Sequence, residues 1–106
     1  MVKLIDCIEG DSSDYEIEYR IHATRRMFQR DINEDDVEFV VRNGEVVERY
    51  EQDFSLPSLL LLGESQGKKP LHIVVGIDSL NRRIFIITAY EPDPNKWTND
   101  FSKRLL

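Results

Sequence analysis

The spacing of the apolar residues changes at Gly44, and this change divides the chain into a helical part and a strand-rich part. Before it, INEDDVEFVVRNGE places Val37, Val40 and Val41 on one side of an amphipathic helix. After it, β-branched and aromatic residues form short runs: EVVERY, PSLLLLGE, PLHIVVGID and RRIFIITAY. Strands fit such runs better than helices, and QDFSLP, SQGKKP and DSLN are turn-like. The pattern therefore predicts the α+β class.

The helix before Gly44 has clear end signals. Asn33 is a good N-cap residue, and Asp36 occupies the third helical position. Gly44 follows the last turn as the C′ stop. Acidic residues in the first turn suit the positive end of the helix dipole, so they need no functional explanation.

Residues 21–31, IHATRRMFQRD, concentrate basic side chains although the whole chain has a formal net charge of -6. At about 100° per residue, a helix over 22–31 places one polar set on a single arc: His22, Arg25, Arg26, Gln29 and Arg30. The less polar residues face the other way: Ala23, Thr24, Met27 and Phe28. The spacing predicts a first helix with a basic face directed to solvent.

The strand-rich part predicts a mostly antiparallel sheet of four strands, and YEIEYRI allows a fifth, N-terminal one. The last two strands are apolar on both faces, which indicates central positions, and the short turn after Asp78 predicts a hairpin. The tail opens with two prolines, and its end is predicted as a short helix that packs Trp97 and Phe101 on the body. Two N-terminal helices are expected to cover one face of this sheet.

Composition limits the class of protein. The 106 residues suffice for one domain, no apolar run approaches the ~20 residues of a membrane span, and the first residues lack the long apolar stretch of a secretory signal. The chain has a single cysteine, Cys7, so an internal disulfide is excluded, which fits a reducing cytoplasm. An inert apolar role for Cys7 is favoured over a reactive thiol. The acidic balance argues against non-specific coating of duplex DNA but allows a local basic patch.

His22 is the first candidate for chemistry, because histidine transfers protons at neutral pH. Arg26 and Arg30 follow one and two helical turns later, where they could bind a phosphate and stabilise negative charge. Such a set suits RNA cleavage by transphosphorylation, which needs a base, a cation for the phosphorane and an acid. The spacing alone favours a simpler reading, a surface helix with arginines for solubility and a histidine that caps its start.

His72, in KKPLHIVVG, is a candidate for a second acid, base or phosphate contact, although a partly buried, hydrogen-bonded histidine is the favoured alternative. Thr88 and Tyr90 share one strand face and could hold a phosphate or stack on a base, but core packing explains them equally. The loop YEPDPNKW is either a site wall or a tail anchor. Two histidines without local ligand spacing do not predict a zinc site.

Several segments, in this order, resemble the DUF4258 family: HATRRMFQRDINEDDVEFVVRNGEVVERY, LLLLGES, KPLHIVVGID and IITAYEPDPNKW. The single domain, 1–106, then comprises a variable N-terminal segment, 1–15, and a family-like domain, 16–106. The family is similar to BrnT-like and RelE-like ribonuclease toxins, which implies a helix pair on a small sheet. It also implies a cytoplasmic, metal-independent endoribonuclease that acts on messenger RNA without a cofactor, paired with a zinc-finger antitoxin of the MqsA type.

The polar residues that match the family pattern are His22, Arg26, Arg30, His72, Thr88, Tyr90 and Glu91, whereas Arg25 falls outside it. The leading hypothesis assigns catalysis to five of them: His22, Arg26, Arg30, His72 and Tyr90. Substrate binding falls to four more: Arg25, Lys69, Thr88 and Glu91. The rival hypothesis is a non-catalytic binding module whose basic helix docks an acidic protein or RNA. An inactive relative of the family is a third reading.

Overall fold

The computed structural model describes residues 2–50 and 56–105, apart from the side chain of Ile5. Within them, two α-helices and five strands follow two short 3-10 turns, Leu4–Asp6 and Ser12–Asp14. The elements are β1 (Glu16–Tyr19), α1 (Ile21–Gln29), α2 (Glu34–Asn43), β2 (Glu45–Tyr50), β3 (Ser58–Glu64), β4 (Pro70–Asp78) and β5 (Arg83–Tyr90). The predicted α+β class is confirmed, and the turn predicted at QDFSLP lies mostly outside the described residues.

The strands form one mixed sheet in the order β1-β5-β4-β3-β2. β2, β3, β4 and β5 pair antiparallel, and β4 and β5 make the predicted hairpin in the interior of the sheet. β1 is the fifth strand that YEIEYRI allows, and it pairs parallel to β5, with Glu16 opposite Arg83. Since β1 precedes both helices, the helices are not strictly N-terminal.

Both helices cover the same face of the sheet, as predicted. α1 packs on β5, with Ala23 and Met27 buried in its inner surface. α2 packs on β3 and β4 with the predicted stripe Val37, Val40 and Val41. These side chains and the apolar residues of the strands form the main hydrophobic core. Burial of this apolar surface provides the main force that holds the helices on the sheet.

The opposite face of the sheet is partly covered by the segment that follows β5. Trp97 is buried there in a second, smaller cluster with Leu60 and Val74. Phe101 packs against this cluster. The sheet is therefore sandwiched between the helices on one face and the segment after β5 on the other.

The short helix predicted near the end of this segment is wrong. The described residues 92–105 form turns, and Asp100 accepts hydrogen bonds from the hydroxyls of Thr98 and Ser102, both at 2.7 Å. Such local side-chain bonds compete with helical pairing. Phe101 also has a positive φ of 60°, which no helix contains. Trp97 and Phe101 still pack on the body, as the sequence predicts.

The ends of α2 differ from the prediction in one respect. Asn33 is the N-cap, and its side-chain oxygen accepts a hydrogen bond from the Asp36 N–H at 2.8 Å. Gly44 ends the helix with a φ of -73°, so it is not left-handed. A Cβ at Gly44 would lie 2.6 Å from the carbonyl oxygen of Val40 and 2.7 Å from that of Leu62. Gly44 therefore allows the close approach of α2 and β3.

The polar arc of α1 is exposed as predicted, but the assignment of Phe28 to the inner side is wrong. Only 4% of Met27 is exposed, against 88% of Phe28. The buried residues of α1 are Ala23 and Met27, which form a narrow arc. Phe28 lies about 100° further round the helix, beyond the reach of the sheet.

The remaining sequence predictions concern the membrane and the cysteine. Neither helix of the described chain is long and apolar enough to cross a membrane. Cys7 is half-buried against the main core, and its sulfur accepts a hydrogen bond from Arg49 at 3.3 Å.

Candidate functional site

A pocket of about 620 Å³ lies where β5 ends and the chain turns back over the second face of the sheet. We call it the β5-end pocket, and it is lined by Arg30, Tyr90, Glu91, Asp93, Lys96, Trp97 and Arg104. Three of these residues are cations, two are acids and two are aromatic. Guanidinium and ammonium groups bind phosphate, and aromatic rings can stack on bases. The pocket therefore has the residue types of a nucleotide site.

Arg30 enters the pocket from the end of α1. It is the C-cap residue of that helix, and its Nη1 donates a hydrogen bond to the carbonyl oxygen of Ala89 in β5 at 2.8 Å. This bond joins the helix to the strand beside Tyr90. The guanidinium retains further N–H donors for a ligand, because arginine has five.

Arg104 is held on the opposite side by two partners. Its Nε and Nη2 donate to the Glu48 carboxylate at 2.9 and 3.1 Å, a two-bond arrangement that fixes the guanidinium plane. Its guanidinium carbon also lies 4.7 Å from the centre of the Trp97 ring, a cation–π contact. Arg104 is thus oriented before any ligand arrives.

Glu48 is itself held by hydrogen bonds. Burial alone would raise its pKa, but the bonds from Arg104 and from the Tyr50 hydroxyl outweigh burial and lower the pKa below its ordinary value. Burial and the bond to Glu48 raise the pKa of Tyr50 to about 12. At neutral pH the carboxylate is charged and the phenol is protonated, so the support of Arg104 is complete.

His72 lies beneath the pocket, with no side-chain surface exposed. Its Nε2 is 2.9 Å from the carbonyl oxygen of Phe101, and its Nδ1 is 3.2 Å from the Tyr90 hydroxyl. The Trp97 ring is edge-on to the imidazole, with centroids 4.4 Å apart. Burial lowers the pKa of His72, although the Phe101 carbonyl and the Glu48 charge oppose this. His72 therefore contacts two residues that line the pocket, Tyr90 and Trp97, and of these two it is hydrogen-bonded to Tyr90.

Tyr90 connects the buried histidine to the pocket. Burial raises the pKa of its phenol, so the hydroxyl keeps its proton at neutral pH. The charges of Arg104, Glu48 and Arg30 act on this hydroxyl. Tyr90 therefore presents a neutral polar group to a pocket whose cations come from the end of α1 and from the segment after β5.

Of the predicted substrate-binding residues, Lys69 and Glu91 form an ion pair, with 3.8 Å between Nζ and Oε1. Both side chains are largely exposed, so this pair adds little to stability. They also line a smaller hollow of about 150 Å³ next to Asp31 and Asp36. Thr88 is half-buried opposite Val74 in the sheet and does not line either pocket.

His22, Arg25 and Arg26 lie outside the β5-end pocket. They are exposed on α1, and only Arg30 of the basic arc lines the pocket. The helix rise of 1.5 Å per residue separates His22 from Arg30 by about 12 Å along the axis. The structure thus brings Arg30, His72, Tyr90 and Glu91 together. The other members of the basic arc of α1 are exposed outside the pocket.

Sequence reasoning missed Lys96 and Arg104, which line the pocket, and Glu48, which holds Arg104. No local motif marks them, because Glu48 and Arg104 meet across 56 residues. The loop YEPDPNKW gave one signal. Its Trp97 is buried and anchors the tail, as one of the two predicted alternatives has it, and Asp93 and Lys96 line the pocket.

Among the described residues, no group of three or more His, Cys, Asp or Glu side chains is arranged to hold a metal ion. Comparison with curated proteins and with solved structures found no match. The family model for a domain of unknown function, DUF4258, matches residues 19–91. This match includes Arg30, Glu48, His72 and Tyr90, whereas Lys96 and Arg104 follow it. Because the match spans more than half of the sequence, the chain belongs to the DUF4258 family.

Proposed function

We propose that this protein is a cytoplasmic, toxin-like endoribonuclease that cleaves messenger RNA in the β5-end pocket without a metal ion. One observation carries the proposal: Arg30, Lys96 and Arg104 line a single pocket with the phenol of Tyr90. Transphosphorylation concentrates negative charge on the phosphorane, and fixed cations stabilise such charge. The Glu48 and Trp97 contacts hold Arg104 in place for this role.

The reaction would form a bond between the ribose 2′-oxygen and phosphorus and break the bond from phosphorus to the 5′-oxygen. The proton of the 2′-hydroxyl must reach a base, and the leaving 5′-oxygen must receive a proton. The pocket supplies the carboxylates of Glu91 and Asp93 and the Lys96 ammonium for these transfers. The proposal therefore moves proton transfer from His22, which lies outside the pocket, to these groups.

The experiment is cleavage of end-labelled single-stranded RNA by the purified protein in the presence of a chelator. We expect a product with a 2′,3′-cyclic phosphate, and a rate that falls about 100-fold or more in Arg30→Ala and Arg104→Ala, because each removes a fixed cation. His22→Ala is the matched control and should keep the wild-type rate. Wild-type protein that leaves RNA intact contradicts the proposal, and loss of cleavage in His22→Ala alone places the reaction on α1 instead.

A second candidate function is a non-catalytic binding module that docks an acidic protein such as the antitoxin that the family resemblance implies. It is favoured by the exposed apolar residues Ile21 and Phe28, 66% and 88% exposed, beside the basic side chains of α1. Large exposed apolar residues next to cations fit a partner with acidic and apolar groups. Binding of an acidic partner protein that is lost in an Arg25→Ala, Phe28→Ala double variant but kept in Arg30→Ala would favour this function.

A further inference from the structure

We propose that Tyr90 recognises the ribose 2′-hydroxyl in the β5-end pocket, and that His72 is the positioning residue that gives the phenol this specificity. The inference rests on the proposed function only in taking nucleotides as ligands of the pocket. It adds the feature by which the pocket distinguishes RNA from DNA.

The hydrogen bonds of His72 determine where its proton lies. A carbonyl oxygen only accepts hydrogen bonds, so the Nε2 atom, 2.9 Å from the Phe101 carbonyl, must carry the hydrogen. In a neutral imidazole the other nitrogen then has a free lone pair. The complete burial of His72 favours this neutral form. Its Nδ1 is therefore an acceptor, directed at Tyr90.

This tautomer fixes the direction of the phenol proton. Among the described residues, the Tyr90 hydroxyl, 3.2 Å from Nδ1, is the partner that can donate to it, so its O–H points toward His72. The phenol oxygen is left with its lone pairs for a ligand in the pocket. Tyr90 thus acts as a hydrogen-bond acceptor toward the pocket, and its favoured ligand group is a donor.

The cations beside Tyr90 indicate which ligand group lies next to the donor that binds the phenol: it is a phosphate. Arg30 and Arg104 offer N–H groups to a phosphate, whose ionised oxygens cannot donate to Tyr90. In a nucleotide with a 3′-phosphate, the donor next to the phosphate is the 2′-hydroxyl, which DNA lacks. The 2′-hydroxyl is also the group by which proteins tell RNA from DNA. The ligand that satisfies both the cations and the phenol is therefore a ribonucleotide.

The test is calorimetric binding of uridine 3′-monophosphate and of its 2′-deoxy analogue, which the protein cannot cleave further. We expect wild type to prefer the ribonucleotide by about tenfold, the effect of one hydrogen bond. Tyr90→Phe should bind both nucleotides alike. Tyr19→Phe is the matched control: its phenol ring packs against the main core and does not line the pocket, so the preference should remain. Equal wild-type affinities, a preference that persists in Tyr90→Phe, or no binding of either nucleotide at millimolar concentration overturns the inference.

Replacement of the buried His72 could unfold the protein, so its role is tested in wild type by the nitrogen chemical shifts of its side chain. We expect the tautomer with hydrogen on Nε2, and hydrogen on Nδ1 alone overturns the inference. The outcomes separate this inference from the proposed activity. Ribonucleotide preference without RNA cleavage refutes only the activity, and cleavage without the preference refutes only the inference.

Discussion

Glu48 in β2 and Arg104 in the segment after β5 meet through two hydrogen bonds of 2.9 and 3.1 Å, although 56 residues separate them. The Arg104 side chain is 60% exposed and the Glu48 side chain only 23%. The exposed guanidinium of Arg104 therefore compensates the charge of the Glu48 carboxylate, which is mostly buried. Arg104 also lines the β5-end pocket. Because the pair is partly exposed, it adds little to stability, and we infer that it serves the proposed ligand site.

Loss of Arg104 should reverse the shift of the Glu48 pKa. In wild type that pKa is lowered because the bonds from Arg104 and Tyr50 outweigh burial. In Arg104→Ala we expect burial to prevail, so that the pKa rises above that of an ordinary glutamate. Carbon NMR titration of the Glu48 carboxylate measures this. Arg83→Ala, which breaks the separate pair with Glu18, is the control and should leave Glu48 unchanged. A Glu48 pKa that stays low in Arg104→Ala contradicts the prediction.

His72 should make the protein less stable as the pH falls below about 6.5, the usual histidine pKa. Its pKa in the folded state is lowered, so the unfolded chain binds the proton first. The free energy of unfolding then falls from pH 6.5 downward, by at most about 1.4 kcal/mol per pH unit, until folded His72 is protonated as well. The charged groups that act on the imidazole are Glu48 and Arg104, and its hydrogen-bonded neighbour is the neutral Tyr90 phenol.

The titration of His72 can be isolated because the sequence has one other histidine, His22, which can be replaced. In a His22→Asn background, denaturant unfolding between pH 7 and 5 gives the stability, and the carbon shift of the His72 imidazole gives its titration. A His72 midpoint above 6.5 in the folded protein would sink the prediction.

Gly44→Ala should destabilise the fold by about 2–3 kcal/mol, the cost of forcing extra atoms into a packed site. The new Cβ would lie 2.6 and 2.7 Å from two backbone oxygens, which cannot move without separating α2 from β3. Gly67→Ala is the matched control, since its nearest neighbour would be the Ser65 Oγ at 3.8 Å. The control should change stability by less than about 1 kcal/mol. Similar melting temperatures for the two variants would contradict the close approach at Gly44.

Met27 and Phe28 provide a test of the orientation of α1. Met27→Ala should cost about 2–4 kcal/mol, because it leaves a cavity between the helix and β5. Phe28→Ala should change stability by about 0.5 kcal/mol or less, because the ring is exposed. Denaturant midpoints of both variants decide the matter. A large loss in Phe28→Ala would mean that α1 is rotated from the orientation described.

Much of the fold could be predicted from local sequence. Asn33, the valine stripe of α2 and the apolar runs of β3, β4 and β5 each act over a few residues, where periodicity and capping have direct physical meaning. Phe28 shows what periodicity cannot predict. The angle of each residue around the helix axis separates a polar arc from an apolar arc, but it does not say how much of the apolar arc is buried. The buried part depends on how α1 rests on β5, which is a tertiary property.

The candidate site was predictable only in part. Arg30, His72, Tyr90 and Glu91 could be selected because their residue types suit phosphate chemistry. Glu48, Lys96 and Arg104 could not, because their proximity depends on how the segment after β5 crosses the second face of the sheet. His22 and Arg26 share the arc of Arg30, but the helix axis carries them away from the pocket.

The parallel pairing of β1 with β5 has a consequence for the order of events during synthesis. Glu16 finds its partner Arg83 only after all of the other strands have been made. The β5-end pocket is later still, because it needs Arg104 to emerge from the ribosome and fold back to Glu48. A nascent chain would thus carry Arg30 and Tyr90 without a working site. Under the proposed function, a nascent chain would therefore be unable to cleave RNA until its last residues had folded.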